Sequence, residues 1–229
     1  MSHLLTVQRY RLTKLCALLL FLTACSFGSS NLQSRHVSDV EARRIRRIAV
    51  VPPSVLSSQA QAQVPLTTTP GARTGEREAP EMLARTIYSV MASVPNWQII
   101  SESEVREVAQ TVPPAGETIR LRQIGQMVYA DAVITGRMQR FRERVGDEWG
   151  AKSPASVAFL LELVDVRRGD VVWSARFDET QKSLSENIFA IGDIRERGVR
   201  WLNAEQLTQE GVKKAIGQLH EIIARGPTS

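Results

Sequence analysis

The stretch 156–166, Ser-Val-Ala-Phe-Leu-Leu-Glu-Leu-Val-Asp-Val, constrains the fold more than any other part of this 229-residue chain. Apolar side chains stand at Val157, Ala158, Phe159, Leu160, Leu161, Leu163 and Val164. Successive strand residues point to opposite faces, so an extended segment of this composition is apolar on both. Such a strand belongs in the middle of a sheet with layers covering it. Arg167-Arg168-Gly169-Asp170 then turns the chain, with Gly169 supplying a positive φ. Val171, Trp173, Ala175 and Phe177 alternate with Val172, Ser174, Arg176 and Asp178. That is the pattern of a half-buried strand, with the large Trp173 ring on its core side.

The remaining segments supply the covering layers. Arg46-Arg47-Ile48-Ala49-Val50-Val51-Pro52-Pro53 is β-branched and ends in prolines, which predicts a buried strand. Residues 54–77 follow, rich in Ser, Gln, Ala, Thr, Pro and Gly. Loops of that length inside a domain are uncommon and usually functional or disordered. Pro80 is placed near a helix start, and Leu83, Ile87, Val90, Met91 and Val94 give that helix one apolar stripe. Trp97-Gln98-Ile99-Ile100 predicts a short strand. Ser101 or Ser103 caps a helix through Val105, Val108 and Ala109, which Pro113-Pro114 ends. Another helix, 118–129, carries Leu121, Ile124, Met127 and Val128 on one side. Ala132-Val133-Ile134-Thr135-Gly136-Arg137-Met138 opens a strand in which Gly136 permits a close approach or a kink. Asn203 and Gln206 form a capping box for a closing helix with Leu207, Ala215, Ile216, Leu219, Ile222 and Ile223, ended by Gly226-Pro227. The predicted fold is α/β: a single-domain sandwich of a mixed β-sheet covered by α-helices, in the order β-α-β-α-α-β-β-β-α.

The first 24 residues are an address rather than structure. Arg9, Arg11 and Lys14 precede the run Leu15 to Leu22. The run is far shorter than the ~20 residues a membrane span needs, and with its charged flank it matches an export signal. It ends Leu22-Thr23-Ala24-Cys25, which resembles the bacterial lipobox. That resemblance implies cleavage before Cys25 and acyl chains, palmitate among them, on Cys25. Each buried methylene contributes about 0.8 kcal/mol, so two or three chains suffice for stable anchoring. Ser26 in place of Asp implies, by the sorting rule of such proteins, delivery to the outer membrane with the body facing the periplasm. The polar stretch after Cys25, including His36, has no apolar period and is predicted as a flexible tether. The expected organisation is thus a signal over 1–24, a lipidated Cys25 and tether over 25–45, and an α/β domain over 46–226.

Composition narrows the function classes. Of the formal charge of +5, three units come from Arg9, Arg11 and Lys14, and without them 26 basic residues face 24 acidic ones. A nearly neutral body has no counterion-release footprint, so no nucleic-acid partner is expected. Cys16 leaves with the signal and Cys25 is lipidated, so no thiol remains for a disulfide, a metal or a nucleophile. Only His36 and His220 remain in the expected mature chain. No Gly-x-Ser-x-Gly, Ser-x-x-Lys, P-loop or dinucleotide fingerprint occurs, and two isolated histidines make no zinc spacing. The expectation is no cofactor, no metal and no enzyme activity; carboxylate-based hydrolysis is the one catalytic alternative.

One pattern suggests a docking surface. Continuing the even positions of the strand from Ala132 reaches Arg140, Arg142 and Arg144. Period 2 puts these guanidiniums on one face, neighbours about 6.7 Å apart, a fit for an acidic partner surface. The alternative is a solvated hairpin end neutralised by Glu143, Asp147 and Glu148.

Three stretches together carry a family resemblance. Arg47-Ile48-Ala49-Val50-Val51-Pro52, Tyr129-Ala130-Asp131-Ala132-Val133-Ile134-Thr135-Gly136 and Leu163 through Ser174 resemble the corresponding strands and hairpin of a family of periplasmic domains. Its members are the curli-secretion lipoprotein, the lipoprotein activators of penicillin-binding proteins and the N-terminal domain of the Tol-system propeller protein. Tyr129 stands where those relatives have Gly, and Arg168 where they have Thr. The resemblance implies a lipid-anchored periplasmic adaptor whose partner is an envelope protein such as a peptidoglycan synthase or a secretion machine. Against a channel subunit like the curli protein, each crossing strand needs about 9–11 alternating residues. Residues 54–77 lack the alternation, and 142–156 are short and charged.

Overall fold

Residues 31–53, 74–148, 151–181 and 201–224 are described by the computed structural model. The expected signal, Cys25 and most of the 54–77 stretch lie outside these residues. The β-branched Val133, Ile134 and Thr135 and the apolar run Val157 to Leu161 lie in the two central strands of the sheet, β4 (Ala132–Arg142) and β7 (Ser156–Asp165), paired antiparallel. On β7 follows β8 (Val171–Thr180), also antiparallel. On the other side β2 (Arg47–Val51) runs parallel to β4, and the two-residue β3 (Gln98–Ile99) runs parallel to β2. The outermost strand beside β8 is β1 (Leu32–His36), antiparallel to it, which gives the order β1-β8-β7-β4-β2-β3. A separate ribbon pairs β5 (Val145–Gly146) with β6 (Ala151–Ser153). The architecture is the α/β sandwich expected, a mixed sheet with helices on it.

Two helices cover one face of the sheet. The stripe Leu83, Ile87 and Met91 of α1 (Thr74–Ala92) and the stripe Leu207, Val212, Ala215, Ile216 and Leu219 of α4 (Ala204–Ala224) pack on Ile48, Ile134, Val157, Phe159, Leu161, Leu163, Trp173 and Phe177. Gly136 lets α1 come close: a β-carbon there would sit 2.8 Å from Ile87 Cδ1. The capping box is formed in both directions, Gln206 N donating to Asn203 Oδ1 at 2.7 Å and Asn203 N to Gln206 Oε1 at 3.0 Å. Among the described residues the opposite face is covered at one end. There α2 (Glu102–Thr111) and α3 (Glu117–Met127) bury Val105, Ala109, Leu121 and Ile124 against Ala49, Val51, Val133 and Val164. Among the described residues no helix is long and apolar enough to cross a membrane.

Four expectations are corrected. First, the tether does not run to residue 45: the body begins at Asn31, with β1 in the sheet and Val40 and Ile45 buried. A ladder is made by backbone groups, so a strand with Leu32 as its one apolar residue can join an edge without any apolar period. Second, α1 starts at Thr74, leaving Pro80 as its seventh residue; the last residues of the 54–77 stretch are therefore helical. Third, three short strands, β1, β5 and β6, are added to the expected order. Fourth, β4 carries a bulge between Met138 and Arg140, with consequences given below.

Candidate functional site

The bulge decides where the arginines point. Up to Met138, even positions of β4 face α1 and α4, as the burial of Ala132 and Ile134 in that core shows. Met138 is opposite Phe159 and Arg140 opposite Ala158, so Gln139 is the extra residue. Beyond it the parity is reversed. Phe141 packs towards the α1–α4 core, and Arg140 and Arg142 turn to the other face. Without this insertion both guanidiniums would lie beneath α1.

That second face, from the first turn of α3 outward, is polar. In register across the strands lie Arg142, Ser156 and Thr180, then Arg140, Ala158 and Asp178, then Arg137, Leu160, Arg176 and Gln33, then Thr135, Glu162, Ser174 and Arg35. Arg140 donates through Nε to Ser156 Oγ at 2.7 Å and through Nη2 to Asp178. Arg176 Nη2 reaches the same carboxylate at 3.1 Å. The Arg140 guanidinium above all, with Arg176, holds the Asp178 carboxyl below the usual carboxylate range. Arg137 is shared by Glu162 at 2.6 Å and by Glu117 of α3 at 3.2 Å. Arg35 and Arg142 are exposed, and among the described residues neither is in an ion pair. Arg144 leaves the group: it donates to the Trp201 carbonyl oxygen. The expected trio is therefore not one surface. Arg140 and Arg142 share a face with Arg35, Arg137 and Arg176, which the sequence reading did not bring together with them.

The other polar centre is structural, and the sequence reading missed it. Arg43 follows β1 in a single turn of 3-10 helix and is only 5% exposed. Its guanidinium donates to Asp165 at 3.0 Å, to Asp170 at 2.9 Å and to Asp39 at 3.2 Å. These bonds, that to Asp170 first, raise its pKa further above its ordinary value. Asp165 is equally buried. Burial pushes its carboxyl up, but the amides of Arg168 and Arg167 and the Arg43 guanidinium outweigh that and hold it below the usual range. Its other oxygen thus closes the β7–β8 turn, in which Gly169 has φ 76°. The signal available in the sequence was the Asp39–Arg43 spacing of four between the apolar Val37, Val40 and Ile45. Among the described residues no cluster of His, Cys, Asp and Glu could hold a metal ion, and the converging carboxylates are those bound by Arg43. Trp173 is 1% exposed in the α1–α4 core, and His220 meets Trp97 edge-to-face at 5.4 Å.

Among the described residues Arg44, Asn96 and Tyr129 have a positive φ without being glycine, and Tyr129 is the aromatic one among them. Its φ is 55°, and the side chain is 81% exposed after the end of α3. A β-carbon makes this left-handed conformation costly, and no burial offsets it. Tyr129→Gly is expected to stabilise the body by up to about 1 kcal/mol, after the larger unfolded-state entropy of Gly is counted. A shift of the urea midpoint to higher concentration checks this.

No family model matches the chain, and no curated protein does. Among solved structures, a point variant of the PelC dodecamer from Paraburkholderia phytofirmans is similar at 16% identity and TM-score 0.45, covering 82% of this chain and 97% of that one. Lipoprotein GNA1162 from Neisseria meningitidis is similar at 15% identity and TM-score 0.39, over 67% of this chain and 98% of that one. The LpoB C-terminal domain from Salmonella enterica is similar at 12% identity and TM-score 0.35, over 60% of this chain and 83% of that one.

Proposed function

We propose that this protein is a non-catalytic, lipid-anchored adaptor of the bacterial outer membrane, its body in the periplasm and bound to an envelope protein complex such as a cell-wall synthase or a secretion machine. The observation that carries this reading is the Leu22-Thr23-Ala24-Cys25 sequence behind a charged, short apolar segment and ahead of a folded body. It is supported by the use of most of the polar side chains described above, which neutralise one another, close turns or cap helices. An adaptor needs a rigid body with presented side chains, and the folded unit from Asn31 onward is such a body.

Metabolic labelling with palmitate tests the anchor. The label is expected in the wild-type protein and absent from Cys25→Ser, which also leaves the outer-membrane fraction. Equal labelling of both would overturn the anchor. Crosslinking in the native envelope followed by mass spectrometry tests the adaptor role, which a recovery of lipids alone contradicts. Release of fragments from purified peptidoglycan by the protein would replace the adaptor with a hydrolase.

A further inference from the structure

The corrected start of the body has a physical consequence, given the lipid anchor on Cys25 proposed above. Only residues 26–31 separate Cys25 from Leu32, the first residue of β1. At about 3.5 Å per residue this link cannot exceed roughly 25 Å. A body tied so closely to a bilayer meets its headgroups continually, because a short link gives a high effective concentration. The strand at which the link arrives, β1, also borders the arginine face, which no described helix covers: Gln33 lies opposite Arg176, and Arg35 opposite Ser174.

We propose that this face rests on anionic phospholipid, with Arg35 and Arg142 binding headgroup phosphates directly and Arg140 and Arg176 contributing the donors they do not use on Asp178. Among the described residues five guanidiniums, Arg35, Arg137, Arg140, Arg142 and Arg176, meet three carboxylates, Glu117, Glu162 and Asp178, in these rows and ion pairs, an excess of positive charge. Arginine is suited to phosphate by its planar fork of N–H groups. An acyl anchor joined to a basic patch is a recognised two-signal mode of membrane attachment. An acidic protein surface would meet the same charges, but chain length places the bilayer, and not a second protein, within constant reach.

The test uses the mature, lipidated protein in vesicles of phosphatidylcholine, with and without added phosphatidylglycerol. A fluorophore is placed at Gln33→Cys on the face or at Lys213→Cys on the exposed side of α4, and energy transfer to a headgroup dye is read. Transfer from position 33 is expected to rise several-fold with phosphatidylglycerol and to be lost in high salt, while position 213 stays low in both. Arg35→Glu with Arg142→Glu is expected to abolish the rise, and Arg35→Gln with Arg142→Gln to reduce it. Both arginines are exposed, so circular dichroism should be unchanged. Equal transfer with and without phosphatidylglycerol, or in the folded charge-reversed variant, overturns the proposal and leaves the face to an acidic protein. Vesicle flotation separates the two readings. Protein that floats with neither lipid contradicts both, whereas flotation only with phosphatidylglycerol contradicts the anchor and supports the face.

Discussion

Replacing Arg43 with Met is expected to destabilise the body by about 3–5 kcal/mol, the cost of breaking a buried ion pair from one side. Met fills the volume of the aliphatic stem, so the loss is electrostatic: Asp165, buried with it, keeps its charge without the guanidinium. Urea denaturation followed by tryptophan fluorescence measures the change. Arg43→Lys should fall between wild type and Met, because an ammonium cannot present a fork to three carboxylates at once. Adding Asp165→Asn to Arg43→Met should return part of the loss. The acid limb of stability gives an independent reading. The carboxyls of Asp39, Asp165 and Asp178 are held below their ordinary value in the folded state. Between the folded and unfolded values the unfolded chain binds more protons, so stability rises with pH there. The contribution is complete above the unfolded aspartate value near 4 and is lost as pH falls through the folded values. The Met variant should show a flatter acid limb than wild type.

Trp173→Ala is expected to cost about 3–5 kcal/mol, as for other fully buried large-to-small changes. The ring lies in the register row of Leu163 and His36 and is closed over by the core beneath α1 and α4. Its Nε1 is buried with no hydrogen-bond partner among the described residues. An unmade hydrogen bond already weighs on the folded state, so Trp173→Phe should cost distinctly less than its lost volume alone would imply. Thermal denaturation of the two variants checks both the size and the order of the effects.

The parts of this fold that were legible in the sequence are those whose side chains carry a period. The alternation of Trp173 to Asp178, the two-faced run in β7 and the stripes of α1 and α4 each reflect burial, which selects residue types; at the start of β8 a register shift puts Val172 rather than the expected Val171 in the core. β1 was not legible, because it joins the sheet through backbone bonds and presents Gln33, Arg35 and His36 to solvent. The bulge at Gln139 was invisible for another reason: one inserted residue changes no composition, yet reverses the face of everything after it. Hence Arg140 and Arg142 were rightly paired with each other and wrongly aligned with Ile134 and Gly136. Arg144 lies past the end of the strand, where period 2 no longer applies. Arg43 was hidden because its partners Asp165 and Asp170 are more than 120 positions away.

That separation also sets the order in which the molecule is completed. Leu32 pairs with Phe177, and the strand made first in synthesis is the last whose neighbour exists. Closing so long a loop is entropically slow, so the hairpin of β7 and β8, joined by five residues, is expected to form well before β1 docks on it. While it waits, β1 exposes a polar, arginine-bearing segment rather than an apolar one, a composition that resists pairing with other chains. The docking of β1 is then expected to bring Arg43, with Asp39 beside it, to Asp165 and Asp170, and an assembling chain stays incomplete at that edge until most of it has been made.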